Sequence, residues 1–369
     1  MGKFKVGMIG CGFIANGKHL YAMTQRDDVE VVAFCDLVLE RAQASAKQYG
    51  TPDALVCQDY REVVTREEID VIYVCTPNST HAEITVAALN NGKHVMCEKP
   101  MAKTSAEAKA MVDAAKASGK KLSIGYQNRF REDTLLLKSL CDQGELGEIY
   151  YAKAFALRRR GVPTWGVFMD KEKQGGGPLI DLATHALDMT LWMMDNYEPE
   201  VVLGSTFDKL GKLGSPANGM GPWDPAAYEV EDAAFGLVRF KNGATVMIES
   251  SWALNMVSTN EAMILLAGTK AGADMFPPEG QPRDGLHVRI NGEQNGKLYV
   301  RNYAAGSGLY DKSGKREQFA GSIKEANAWF DSIRDDTELV VKPDQAYVVT
   351  QILEAIYQSA ASGEAVRMG

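Results

Sequence analysis

Over the first 126 positions, short apolar runs alternate with longer amphipathic stretches. The runs Phe4–Ile9, Val29–Cys35, Ala54–Cys57, Asp70–Cys75, His94–Cys97 and Lys121–Gly125 predict strands. Most lack a clean in–out alternation, as expected of strands covered on both faces in a parallel sheet. Between them, a helical period marks Ile14–Gln25, Leu39–Tyr49, Thr80–Asn91 and Ser105–Ser118. Asn91-Gly92 and Ser118-Gly119 supply helix stops. The expected product is a doubly wound parallel sheet, with ligands beyond the carboxyl ends of its strands.

From Gln127 onward the pattern changes. The runs Glu148–Leu157, Val201–Phe207, Glu231–Phe240, Ala244–Trp252, Glu261–Ala267, His287–Asn291 and Lys297–Asn302 are longer and alternate. Lys241-Asn242-Gly243 reads as a hairpin turn between two of them. Helices are expected at Glu132–Gln143, Pro178–Met194, Ser322–Ser332 and Asp344–Ser362, and loops at Gly211–Pro225 and Phe276–Gly285. Runs of strands with the helices grouped argue for an α+β domain on a mainly antiparallel open sheet. The chain is thus read as α/β, with domains at 1–126 and 127–369.

Composition narrows the function. A formal charge of −8 argues against a general nucleic-acid surface. No apolar run approaches the ~18 residues needed to span a bilayer. The chain enters a strand at once, with no signal peptide ahead of it, so a cytoplasmic location is expected. The cysteines, at 11, 35, 57, 75, 97 and 141, form no C-x-x-C pair and read as reduced thiols, most of them in or beside strands.

The candidate chemistry begins at the first strand. Gly10-Cys-Gly12-Phe13-Ile14-Ala15 opens a helix, and Asp36 ends the second strand. Gly10 permits the tight turn, and Gly12 lets backbone approach a pyrophosphate. Ala15 allows close helix–strand packing, and the helix start offers free N–H groups. Asp36 can accept from the adenosine ribose hydroxyls, or can merely cap the next helix. A carboxylate there repels a 2′-phosphate, and neither Leu37 nor Val38 offers a cation, which favours NAD over NADP.

Two further motifs stand beyond strand ends, where ligands are expected, and a third lies in the second domain. Thr76-Pro-Asn78-Ser-Thr-His81 follows the fourth long strand as a capped turn or a loop lining the dinucleotide. Glu98-Lys99-Pro100 follows the next strand. It is either a surface ion pair or a Lys that steadies an alkoxide, with Glu98 holding its ammonium or contacting the cofactor. In the second domain, Gly175-Gly-Gly-Pro178 leads into a helix bearing Asp181, His185, Asp188 and Trp192 on one stripe at 100° per residue. His185 with a carboxylate one turn earlier suits a proton acceptor, unless it is simply a satisfied junction histidine. Two carboxylates and one imidazole lack a fourth ligand, so no metal is expected.

Taken in this order, these motifs resemble the Gfo/Idh/MocA oxidoreductases over essentially the whole chain. The resemblance implies a Rossmann domain and an α/β domain whose open sheet face commonly forms oligomers, so a homo-oligomer is expected. It implies NAD(P)-dependent hydride transfer at a secondary hydroxyl of a sugar or cyclitol, with Lys99, Asp181 and His185 as the catalytic set. Tyr126-Gln127-Asn128-Arg129-Phe130 is similar to the family's junction near nicotinamide and substrate, which puts Gln127 with the cofactor and Tyr126 and Asn128 with the substrate. Pro163-Thr-Trp165-Gly resembles its substrate-side loop. Arg158, in an Arg triplet, can recognise an anionic substrate or form a solvated strand end. The Rossmann start and the Trp165 to triple-glycine region look most like members acting on glucosides, including those that oxidise C3. Inositol oxidation and a non-catalytic dinucleotide sensor remain the alternatives.

Overall fold

The computed structural model describes residues 2–257, 259–276, 287–304 and 320–369. The chain divides into two units, one formed by 1–127 with 317–347 and the other by 128–316 with 348–369.

The first unit is built on six parallel strands: β1 (Phe4–Ile9), β2 (Val29–Cys35), β3 (Gly50–Cys57), β4 (Val71–Val74), β5 (His94–Cys97) and β6 (Leu122–Ile124). Their order is β3-β2-β1-β4-β5-β6, the doubly wound arrangement. Val6, Met8, Val31, Phe34, Val71 and Tyr73 form the centre of its core. The helix Ser105–Ser118 is held by a capping box between Thr104 and Glu107 and stops at Gly119, whose φ is 66°.

A single cut after residue 126 misses part of this unit. The helix Ala320–Arg334 returns to it, and Trp329 and Phe330 join the same core. Phe330 lies 5.3 Å from Phe4 between ring centroids, and Arg26 donates to Asp331 at 2.9 Å. Apolar burial of this kind contributes about 1.5–3 kcal/mol per large side chain, enough to recruit a distant helix. Two further differences are local. The strand expected at Ala54 already begins at Gly50, directly after the helix Leu39–Tyr49. The helix expected at Ile14–Gln25 opens as a π-helical turn, Ala15–Leu20, before the α-helical Tyr21–Met23.

The second unit carries nine strands: β7 (Ile149–Leu157), β8 (Pro199–Phe207), β9 (Ala233–Phe240), β10 (Thr245–Ser251), β11 (Glu261–Gly268), β12 (Ala271–Asp274), β13 (His287–Gln294), β14 (Lys297–Ala304) and β15 (Val366–Arg367). The order is β14-β13-β12-β11-β7-β10-β9-β8-β15; β7 and β10 pair in parallel and all other neighbours are antiparallel. Gly243, with φ 87°, makes the expected hairpin between β9 and β10. β12 has no signature in the sequence, because Ala-Gly-Ala-Asp has too few apolar side chains to show a period. Of the expected loop Phe276–Gly285, only Phe276 is among the described residues.

One face of this sheet is covered by the helix Thr184–Met194, with its π-helical lead Leu179–Ala183, and by the 348–362 part of the last helix. Gly204 and Gly236 admit Ile356 so closely that a Cβ on either would stand 2.6 Å from its side chain. On the other face, cross-strand register aligns Leu203, Leu237, Met247, Lys153 and Leu265 in one row. Leu203 and Leu237 are exposed there, and Phe207 stands exposed beside Phe235, 6.0 Å between ring centroids.

Candidate active site

After β1 the chain turns at Gly10, whose φ of 89° lies in the left-handed region. A Cβ there would stand 2.4 Å from the Cys75 carbonyl oxygen, so only glycine fits. Gly12 differs, since a Cβ on it would meet nothing within 4 Å. The protein gives no reason of its own for glycine at 12, whereas a ligand drawn against the backbone does. Asn16 Nδ2 donates to the carbonyls of Cys11 and Gly12, each at 2.9 Å, and fixes this loop ahead of the free N–H groups of the helix.

Asp36 closes the same region. Its carboxylate accepts from the backbone N–H of Cys11 and of Val38, each at 2.8 Å. It joins the glycine turn to the end of β2, and it does not cap the helix at Leu39, whose N-cap is Val38. Phe13 (85% exposed) and Leu37 (83% exposed) offer bare apolar surface in these two segments. Ile14 packs against the core. These residues fit a dinucleotide, with Gly10 and Gly12 toward the pyrophosphate and Asp36 toward the ribose.

The loop after β4 is tightly held. Thr80 Oγ1 donates to Thr76 Oγ1 at 2.8 Å, and Asn78 is buried. His81 is buried too, with ring nitrogens 2.8 Å from the Pro100 carbonyl and 3.0 Å from that of Thr76. The sequence placed His81 among cofactor contacts; instead its ring ties the Thr76 loop to the Pro100 turn and keeps neither nitrogen for a ligand.

Glu98 also has partners other than those expected. Its Oε1 accepts from Lys18 Nζ and meets His19 Nε2, each at 2.8 Å, and its Oε2 accepts the Lys99 backbone N–H at 3.1 Å. Burial alone would push its carboxyl upward, but Lys18 and His19 hold it well below the usual carboxylate range. Lys18 Nζ further reaches Glu325 Oε2 at 3.0 Å and the Gln127 side-chain oxygen at 3.2 Å. The Lys99–Pro100 peptide is cis. Lys18, His19 and Glu325 escaped the sequence reading. The only signal was a Lys-His pair in a helix start with no other charged residue.

In the second unit, the glycine run precedes the Asp181 helix for a steric reason. A Cβ on Gly176 would stand 2.0 Å from the Tyr357 hydroxyl, and one on Gly177 would stand 2.2 Å from the Glu231 carbonyl. The buried Glu231 carboxylate accepts from the N–H groups of Gly177 (2.8 Å) and Leu179 (3.1 Å) and from Tyr357 Oη (2.9 Å). It serves as a remote cap on the helix that bears the acid and the imidazole.

That helix begins as a π-turn, a feature frequent at functional sites. Asp181 Oδ2 accepts from the Trp252 indole N–H at 3.1 Å, and His185 is buried one turn on. The stripe predicted at 100° per residue is broken only at Asp181, which lies in the π-turn, and its members take different partners. Asp188 turns to Arg129, which it binds through both oxygens at 2.9 and 2.6 Å, and Arg129 lies 5.0 Å beneath the Trp192 ring.

The substrate-side candidates separate. Trp165 is 52% exposed and starts an aromatic run: its ring lies 5.9 Å from Phe168, and Phe168 lies 6.2 Å from Trp252. The loop is pinned by Asn218, which pairs with both backbone groups of Val162 at 2.9 Å, and by Thr164 donating to the Met220 carbonyl at 2.6 Å. Arg158 is committed to Glu261 through two bonds of 2.6 and 2.5 Å, so it is not a free cation for an anionic substrate. Tyr126 is fully buried and Asn128 is half-buried. Lys99 belongs to the first unit, Asp181 and His185 to the second.

Residues 4–126 match the Gfo/Idh/MocA oxidoreductase family model for the NAD-binding Rossmann fold, and residues 138–368 match its C-terminal alpha/beta domain. The chain belongs to this family. As a Gfo/Idh/MocA protein it is an NAD-binding oxidoreductase of sugars and polyols. It is 37% identical over 366 residues to a D-glucoside 3-dehydrogenase of Escherichia coli, covering 99% of this chain and 97% of that one. It is 27% identical to a levoglucosan dehydrogenase of Pseudarthrobacter phenanthrenivorans, covering 98% and 97%. A solved levoglucosan dehydrogenase with NADH and levoglucosan superposes with a TM-score of 0.81 at 26% identity, covering 99% of both chains. No helix among the described residues is long and apolar enough to cross a membrane.

Proposed function

We propose that this enzyme oxidises the C3 hydroxyl of a glucoside or related hexose to a 3-keto sugar. The observation that carries the reading is the acid–imidazole pair on one helix, with Asp181 oriented by Trp252 and His185 one turn away. The near full-length likeness to a D-glucoside 3-dehydrogenase supports the sugar and the position.

The nicotinamide ring, when bound, supplies the hydride acceptor. His185 takes the hydroxyl proton as the C–H bond breaks, so proton and hydride leave the same carbinol. Lys99 donates to the oxygen and steadies its alkoxide character. Asp181 orients the sugar or the imidazole. General-base catalysis of this kind is worth roughly 10²–10⁴-fold.

We also propose a homo-oligomer assembled through the open sheet face, where the Leu203–Leu237–Met247 row presents apolar side chains. The six free cysteines suit a reducing compartment, and we assign the protein to the cytoplasm on that ground.

The test is a panel of glucosides, free hexoses and inositols with NAD, followed by NADH absorbance and by product mass. A 3-keto product from a glucoside supports the reading. Turnover confined to inositols replaces it with the cyclitol reading, and absence of any product by mass replaces it with a sensor.

A further inference from the structure

The first unit encloses a charged cluster that the reaction scheme above does not use. Lys18, His19, Glu98 and Glu325 are all nearly inaccessible to solvent. They come from three separated segments: the π-turn after the glycine loop, the end of β5 and the returning helix Ala320–Arg334. Lys18 Nζ bridges Glu98 Oε1 at 2.8 Å and Glu325 Oε2 at 3.0 Å. The other oxygen of Glu98 accepts the backbone N–H of Lys99 at 3.1 Å.

Burying two carboxylates on one ammonium is costly, and well-packed apolar residues would stabilise a core as well or better. Stability alone therefore gives no reason to keep the cluster, whereas a fixed Glu98 does. Gly125 points the same way, since a Cβ on it would stand 2.9 Å from Glu98 Oε1. Space has been left for this carboxylate in one position.

We propose that Lys18 and Glu325 are positioning residues for Lys99. Lys18 clamps Glu98, Glu98 holds the Lys99 peptide, and Glu325 completes the coordination of the Lys18 ammonium. The returning helix thus contributes to catalysis as well as to the core. This rests on Lys99 acting on the substrate oxygen, as proposed above.

Lys18→Met alone removes the ammonium shared by two buried carboxylates, leaves Glu98 to His19 and is expected to fold poorly. The double variant Lys18→Met/Glu325→Gln removes one cation and one anion, so the charge of the cluster is unchanged. It should fold, bind NADH with a Kd within about twofold of the parent, and keep the sugar KM within about threefold, while kcat falls about tenfold or more. Gly125→Ala displaces the Glu98 carboxylate without altering any charge, and should show the same kcat-selective loss; it decides the matter if the double variant does not fold. Parental kcat in either folded variant overturns the proposal. Lys99→Ala is run alongside. If it retains turnover, the role assigned to Lys99 fails; if it loses turnover while Gly125→Ala and the double variant keep theirs, only the positioning role fails.

Discussion

Asp36 accepts the backbone N–H of Cys11 at 2.8 Å, and through that bond the end of β2 holds the turn that follows β1. Its other oxygen accepts from Val38, so the carboxylate is fixed before any cofactor arrives. A fixed anion at this place opposes a 2′-phosphate, and like-charge contacts cost several kcal/mol when partly desolvated. The enzyme should therefore bind NAD well ahead of NADP. Asp36→Ala should narrow the gap by about tenfold or more, with some loss of NAD affinity as the loop loosens. Titration of the parent with both cofactors checks this, and equal affinities would refute it.

The open sheet face leads to a second expectation. Leu203 pairs with Leu237 across β8 and β9, and Leu237 with Met247 across β9 and β10, so one continuous apolar strip faces outward. Light scattering should show a particle larger than the 40.3 kDa chain, and Leu237→Arg should dissociate it. A stable monomer of the parent at micromolar concentration would contradict the interface.

What was legible in the sequence has a common physical character. The strands of the first sheet, Gly10 and the Gly175 to Pro178 run announce themselves because each has a local signature: apolar runs, a turn glycine, a helix start. What escaped depends on partners far apart in the chain. Asp188 was read with His185 because a regular helix puts them on one side. The Arg129 guanidinium, 59 residues away, claims that carboxylate through both its oxygens. Arg158 looked available until Glu261, 103 residues on, claimed it. Glu231 and Tyr357 carry no motif; only the fold shows that they cap and crowd the glycine run. The return of Ala320–Arg334 was likewise hidden, since an amphipathic helix does not say which core it joins.

His94 gives a stability prediction with a definite sign. Burial, with Lys120 and Lys121 adding repulsion, lowers its pKa from 6.5 to about 4, despite the opposing pull of Asp70 and Asp336. Its Nδ1 accepts the Lys121 backbone N–H at 3.0 Å, which also requires that nitrogen to be unprotonated. Between pH 6.5 and about 4 the unfolded chain binds a proton here that the folded chain does not, so stability falls as pH falls through that window. Denaturant unfolding at several pH values should show the slope, and His94→Asn should flatten it. An unchanged slope in His94→Asn would remove His94 as a contributor.

The catalytic assignment makes the sharpest demand. Lys99→Ala and His185→Ala should each lower kcat by about two or more orders of magnitude, with NAD affinity largely retained. On the proposed mechanism the losses should not add, because both residues would serve one event of proton and charge transfer. Asp181→Asn should cost less if Asp181 only orients, and more if it also binds sugar hydroxyls. Trp252→Phe separates those cases further. It removes the indole N–H that holds Asp181 Oδ2 but leaves the carboxylate in place. If orientation is what Asp181 provides, Trp252→Phe should reproduce most of the Asp181→Asn loss. If Asp181 binds the sugar directly, Trp252→Phe should raise KM only a few-fold. Steady-state rates across pH decide the base, since near-parental turnover of His185→Ala over the whole range would mean that another group accepts the proton.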